Sequence, residues 1–146
     1  MRVALFRSLG LFVLVFAIDQ AIKALILGGF RWESEALSIT LAFNKGAAFS
    51  MFAFLEGWLK YIQLGMLGGI LLFLAYDRSF FVAHYLPLSI LLAAGFSNIL
   101  DRFIHGGVVD YVYWHYGFEF AIFNFADVMI DVAVALFLWQ TFFKQK

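Results

Sequence analysis

Asn124-Phe125-Ala126-Asp127 opens an apolar stretch long enough to enter a membrane. An ionisable group is costly there and marks a functional position by default. Asp19, Asp101 and Asp110 are further acids that can be placed at the same end of the molecule. Two carboxyl groups brought close in a poorly hydrated site cannot both ionise comfortably, so they tend to share one proton. One then acts as base on a water, the other as acid toward a carbonyl oxygen or a leaving nitrogen. Peptide hydrolysis of this kind needs no metal and no cysteine or serine nucleophile, which suits a chain without cysteine. His84, His105 and His115 lack ligand spacing with one another, so neither a metal nor another cofactor is expected.

These residues belong to a chain of 146 residues that is 64% hydrophobic, 21% aromatic and 14% charged. A soluble domain carries about a quarter charged residues, so the composition points to an integral membrane protein of one domain. Formal net charge is zero, and nothing suggests nucleic acid as a partner. Arg2 and Arg7 precede an apolar run in the manner of a signal peptide. Asp19, Gln20 and Lys23 interrupt that run and no small-x-small cleavage site follows, so it is a permanent first span.

About 20 helical residues cross a hydrocarbon core of ~30 Å. Residues 9–27, 59–76, 80–100 and 123–143 qualify or come close, which predicts an all-α membrane protein, a bundle of four transmembrane helices. Asp77-Arg78-Ser79 is a polar turn between the second and third spans, and Pro87 falls in the first two turns of the third. The connection over residues 30–57 alternates through Ser38–Asn44 as a strand, turns at Lys45-Gly46 and offers residues 47–52 as a returning strand. The connection over residues 102–122 holds Gly106-Gly107 and then Val-, Tyr- and Trp-rich sequence suited to the membrane interface.

With four spans, both long connections share one side, opposite the termini. The first and third spans end there and the fourth begins there, so Asp19, Lys23, Asn98, Asp101, Asn124 and Asp127 all lie within the outer third of the bilayer. Asp19 and Lys23 are spaced i, i+4, about 12 and 6 Å from the end of their span. Asn124, Asp127 and Asp131 form one stripe down the fourth span. Lys and Arg are tied between the two sides, but Lys23 and Arg102 sit next to acids and report pairing, which favours cytoplasmic termini. Taken singly, Asp19–Lys23 is a structural pair between helices and Asp101-Arg102 an interfacial cap. Asp131 is a protonated acid or a partner for Lys23. Spacing leaves Asp127 free to pair with Asp101 or with Asp110.

Five motifs in order carry a resemblance. Asp19-Gln20-x-x-Lys23, Asn44-x-Gly46-Ala47-Ala48-Phe49-Ser50, Asn98-x-x-Asp101-Arg102, Val108-Val109-Asp110 and Phe123-Asn124-x-Ala126-Asp127 together resemble the lipoprotein signal peptidases, signal peptidase II. The resemblance covers the whole chain. It implies an aspartyl protease of the bacterial inner membrane, with both termini cytoplasmic and the site toward the periplasmic face. Its substrates are prolipoproteins carrying a diacylglyceryl group on cysteine, cut just before that residue. It assigns Asp110 and Asp127 as the catalytic pair, with Asp19, Lys23, Asn44, Gly46, Asn98, Arg102, Asn124 and Ala126 in support. Asp101 becomes a structural partner near Arg102, and Asn124 and Ala126 shape the wall around Asp127. The 30–57 connection becomes an extracytoplasmic β-cradle that clamps substrate. The family also implies contact with membrane lipid and inhibition by globomycin-type cyclic peptides; nothing demands more than a monomer. Two departures are Ser97, where the family usually has Gly, and Asp131. The rival class is an ion- or proton-conducting subunit, which needs ionisable groups through the whole depth of the membrane.

Overall fold

A single chain segment crosses hydrocarbon only if every backbone N–H and C=O is paired internally, and a helix achieves this within the segment. The four long apolar runs take that solution in a computed structural model, which describes residues 1–46 and 53–143. They form α1 (Arg2–Leu27), α2 (Glu56–Tyr76), α3 (Arg78–His105) and α4 (Phe125–Phe143). All four are long and apolar enough to cross a membrane. Their outer faces carry exposed Phe6, Leu72 and Phe142, a surface suited to lipid.

The first and third helices run beyond the stretches expected from hydropathy, and their polar ends explain it for α3. Asp77 caps its start, accepting from the Phe80 amide at 2.9 Å and the Ser79 hydroxyl at 2.7 Å. Gly106, at φ +74°, closes its far end in the left-handed region. Pro87 therefore lies inside the helix, where its missing N–H and its ring disturb the preceding turn. The backbone leaves helical geometry at His84, three residues earlier, and α3 kinks there.

α3 is the central helix, packing against α1, α2 and α4. Val15, Ile90, Ala93 and Ala133 fill the space between α1, α3 and α4, and Leu74, Leu88 and Leu92 that between α2 and α3. Ala93 and Ala94 are fully buried, and Gly95 leaves room for Leu67, whose methyl carbon lies 3.4 Å from where a Cβ would stand. Small residues of this kind let membrane helices approach closely.

The polar end is covered by an antiparallel sheet in the order β1 (Trp32–Glu33), β2 (Leu37–Asn44), β3 (Val108–Trp114). Its third strand comes from the second long connection, a run expected only to lie at the interface. Val-Val-Asp-Tyr-Val-Tyr-Trp is rich in β-branched and aromatic residues, and an available edge on β2 draws it into the sheet. The expected returning strand at residues 47–52 lies outside the described residues. The β2–β3 register shifts between Ile39 and Ala42, after which Ala42 faces Asp110 and Asn44 faces Val108. Such bulges re-aim the side chains that follow them. A Cβ on Gly107 would lie 3.1 Å from the Asn44 carbonyl oxygen, so any side chain there crowds the entry of β3 beside β2. Gly107→Ala should push Asn44 off β3 and destabilise the protein by about 1–3 kcal/mol, read as a lowered unfolding midpoint in detergent.

Candidate functional site

The opening motif is first of all a helix start. Asn124 Oδ1 accepts from the Asp127 amide at 2.9 Å while Asp127 Oδ2 accepts from the Asn124 amide at 3.1 Å. This is a reciprocal capping box, and the three-residue spacing is what makes it possible. The other leading amides of α4 are also satisfied, as a buried helix end requires. Phe125 N–H donates to the Tyr111 hydroxyl at 3.0 Å and Ala126 N–H to Asp19 Oδ1 at 2.9 Å. Phe123 pairs with Val112 of β3, an exchange at 2.8 and 3.1 Å that sets Asn124 beside Asp110.

Beneath that end lies a buried ion network. The Lys23 ammonium is 2.7 Å from Asp19 Oδ2 and 2.7 Å from Asp101 Oδ2, and all three side chains are at most 2% exposed. Its third proton goes to Asn98 Oδ1 at 2.9 Å. Asp101 thus pairs with Lys23 of the first helix, where a partner near Arg102 was expected, and it also accepts from Gln20 at 3.0 Å and the Val109 amide at 3.2 Å. Lys23 is fully taken up by these three acceptors, so Asp131 is not its partner. Arg102 reaches up to the sheet, donating to the Asn44 carbonyl at 3.2 Å and to the Gly46 carbonyl.

Asp110 and Asp127 stand at the top of this network, each held by amide donors. Asp110 accepts from Asn124 Nδ2 at 2.6 Å and from Asn44 Nδ2 at 3.1 Å. Asp127 accepts from Asn98 Nδ2 at 2.9 Å. Both carboxyl groups line one cavity of about 700 Å³ with Asn44, Asn98 and Arg102, and its other walls are mostly apolar. Asp101 does not reach it, nor do Asn124 and Ala126, which lie behind the wall and are fully buried. Asp19, Lys23 and Gly46 likewise stand behind it. Among the described residues, no group of three His, Cys, Asp or Glu is placed to hold a metal ion. Burial, and then the charge of neighbouring Asp127, push the Asp110 carboxyl up to about 6. The amides of Asn124 and Asn44 and the Lys23 charge pull the other way.

Three contributors were not among the expected site residues. Tyr111 carries the cap on Phe125, and burial pushes its phenol up to about 12, so it stays protonated. Ser97 donates to Asp19 at 2.6 Å and accepts from Gln20 at 2.8 Å, so this departure from the expected glycine adds hydrogen bonds to the network. Gln20 sits inside the first motif, and its neighbours there were the available signal.

The fold and this site define a multi-pass membrane protein with a pair of carboxyl groups, Asp110 buried and Asp127 half-buried, facing one cavity. Residues 11–143 match the family model described as signal peptidase (SPase) II. The chain is 99% identical to the lipoprotein signal peptidase of Wolinella succinogenes over 146 residues, all of both chains. It is 58% identical over 146 residues to that of Helicobacter acinonychis, covering 99% of this chain and 93% of that protein. A solved bacterial membrane enzyme superposes with a TM-score of 0.79 at 27% identity, covering 96% of this chain and 92% of that one. The chain belongs to the signal peptidase II family, and it is a peptidase.

The hydrogen bonds at Asp110 carry a signed expectation. Asn44→Ala removes a donor that favours the charged carboxylate, so the Asp110 midpoint should rise above about 6. Asp127→Asn removes a like charge and should lower it. Carboxyl-carbon NMR titration of protein labelled at aspartate reads both directions.

Proposed function

We propose that the chain is an aspartyl endopeptidase that removes the signal peptide from diacylglyceryl-modified prolipoproteins, cutting before the lipidated cysteine. The observation that carries this reading is the pair Asp110 and Asp127 facing one cavity, each carboxyl oxygen steadied by an amide N–H. One carboxylate takes a proton from water, whose oxygen bonds to the scissile carbonyl carbon. The other carboxyl group gives its proton to the carbonyl oxygen. As the C–N bond breaks, the carboxyl group that took the water proton gives a proton to the leaving nitrogen, and a hydroxyl of the tetrahedral intermediate gives its proton to the other carboxylate, so the pair is again singly protonated. The amide donors keep both groups oriented through these transfers, so little reorganisation accompanies the charge movement.

The shape supports a lipidated substrate. The cavity has apolar walls from α2 and α3, including Met66, Leu67, Ile70 and Leu91, while its polar end lies beneath the sheet. Acyl chains can enter from the membrane and water from outside. By family resemblance, globomycin-type peptides inhibit the chain, membrane lipid is in contact with it, and the sheet with the 30–57 connection is the clamp over the substrate; nothing demands more than a monomer. A conducting subunit is disfavoured: residues 8–18, 61–75, 85–97 and 132–143, the middles and inner parts of the helices, contain no Asp, Glu, Lys, Arg or His.

Asp110→Asn and Asp127→Asn should each abolish cleavage of a diacylglyceryl precursor while the protein stays folded in membranes. Undiminished turnover in either variant overturns the assignment, and equal cleavage of an unlipidated precursor overturns the substrate class. Both termini are proposed to be cytoplasmic. Because the chain has no cysteine, Tyr116→Cys on the exposed β3–α4 loop should react with an impermeant maleimide in intact spheroplasts. Arg78→Cys, at the α2–α3 turn, should react only after lysis; the reverse pattern inverts the topology.

A further inference from the structure

Below the carboxyl pair the cavity continues into the membrane, and two polar groups there take no part in the proposed hydrolysis. Asp131 follows Asp127 by four residues on one face of α4, about 6 Å deeper. Gln63 lies on α2. Both line the same cavity, among Met66, Leu67, Ile70 and Leu91. Each sits roughly 9–11 Å along its helix from the end nearest the sheet, so they stand at similar depth on different helices. Among the described residues Asp131 makes no ion pair or hydrogen bond. The Gln63 Oε1 atom is covered and accepts from no donor.

The Asp131 carboxyl offers acceptor oxygens, while Gln63, its own oxygen covered, offers its amide N–H groups to the cavity, and that pairing of acceptor with donor discriminates between the two halves of a lipidated substrate. The diacylglyceryl group presents esters and a thioether, which accept hydrogen bonds and donate none, so it supplies no N–H to Asp131. A peptide segment, with an N–H and a C=O at every bond, matches both. To be cut, the chain at the scissile bond must leave helical geometry, and its freed N–H groups then need partners at a depth where water is scarce. The part of the precursor that stays in the membrane is the signal peptide, so its extended end descends past the pair toward Asp131. We propose that Asp131 and Gln63 form a signal-peptide subsite in which Asp131 accepts a backbone N–H and Gln63 donates to a backbone C=O of the extended segment just before the cleavage site. This rests on the peptidase reading above. The two residues are positioning residues, and the apolar stretch beside them is left for the acyl chains.

The test uses the full-length protein in lipid nanodiscs and a fluorescent synthetic lipidated precursor. Binding is measured in the Asp127→Asn background, where no turnover intervenes, and turnover is measured separately with Asp127 intact. Amide-to-ester replacement at the peptide bonds preceding the cleavage site removes one N–H at a time. One such replacement should weaken binding by roughly fivefold, the size of one net hydrogen bond. Adding Asp131→Leu should weaken binding of the all-amide precursor by a similar factor and abolish the further loss at that same bond, the non-additivity expected of partners in contact. Gln63→Leu, which removes the donor, should weaken binding of the all-amide precursor by a similar factor and leave the N–H loss at the Asp131 bond in place. Asp131→Asn, which keeps a carbonyl acceptor, should restore most of the affinity, and kcat should change less than KM. Equal ester losses with and without Asp131, or unchanged binding in Asp131→Leu, overturn the subsite. Asp131→Ala replaces the Leu variant if circular dichroism shows that one misfolded. Failure of the native chain to cut the lipidated precursor overturns the peptidase reading instead, and the binding series still decides the subsite.

Discussion

The ammonium of Lys23 is the interaction on which the polar end is built. A lysine has three N–H donors and no acceptor, and here the three go to Asp19, Asp101 and Asn98 at 2.7, 2.7 and 2.9 Å. Removing such a charge from water is expensive, and only near-complete pairing offsets it. The pairing also joins elements that share no backbone hydrogen bond. Asp19 belongs to α1 and extends to the first turn of α4 through the Ala126 amide. Asp101 belongs to α3 and extends to β3 through the Val109 amide. One buried cation therefore ties three helices and a strand at a single depth.

Direction follows from the same chemistry. Because Lys23 can only donate, the amide oxygen of Asn98 must face it, which turns the Asn98 NH₂ toward Asp127. Asn124 receives the Asp127 amide at its own oxygen, so its NH₂ is free to donate to Asp110 and to Asn98. Every ambiguous amide in the chain of contacts is thereby fixed by a neighbour that has no choice. Donors end up pointing at both carboxyl groups from behind, and the remaining lone pairs face the cavity. Burial alone would drive Asp110 toward its neutral form; these donors hold it near the point where either form is accessible.

Much of this was legible in the sequence, and the division has a physical origin. Span length depends only on an unbroken run of apolar side chains, so all four helices could be read directly. The i, i+4 pair Asp19–Lys23 and the three-residue box Asn124–Asp127 are local, and their spacing alone brings the groups together. What stayed hidden was long-range. Asp101 sits next to Arg102 in sequence, yet successive residues on a helix point some 100° apart, and Asp101 faces Lys23 seventy-eight residues away. β3 went unread because a strand buried against a sheet edge and an interfacial loop use the same Val, Tyr and Trp. Spacing left Asp101 and Asp110 equivalent as partners for Asp127, and only the three-dimensional arrangement turns one inward to the lysine and the other to the cavity.

The depth of the site is a consequence of where α4 begins. A helix start buried in a membrane leaves amide protons unpaired, and each must find an acceptor. Asn124, Asp19 and Tyr111 supply those acceptors, so the polar cluster is required by the helix end before any chemistry is considered. Asp127 is both part of that cap and, in the proposed mechanism, part of the reacting pair. Moving the pair deeper would bury a helix end with fewer partners; moving it outward would surround it with water and release the acids from their mutual constraint. The polar end of the bundle, beneath a three-stranded sheet, is where one carboxyl group can serve both ends.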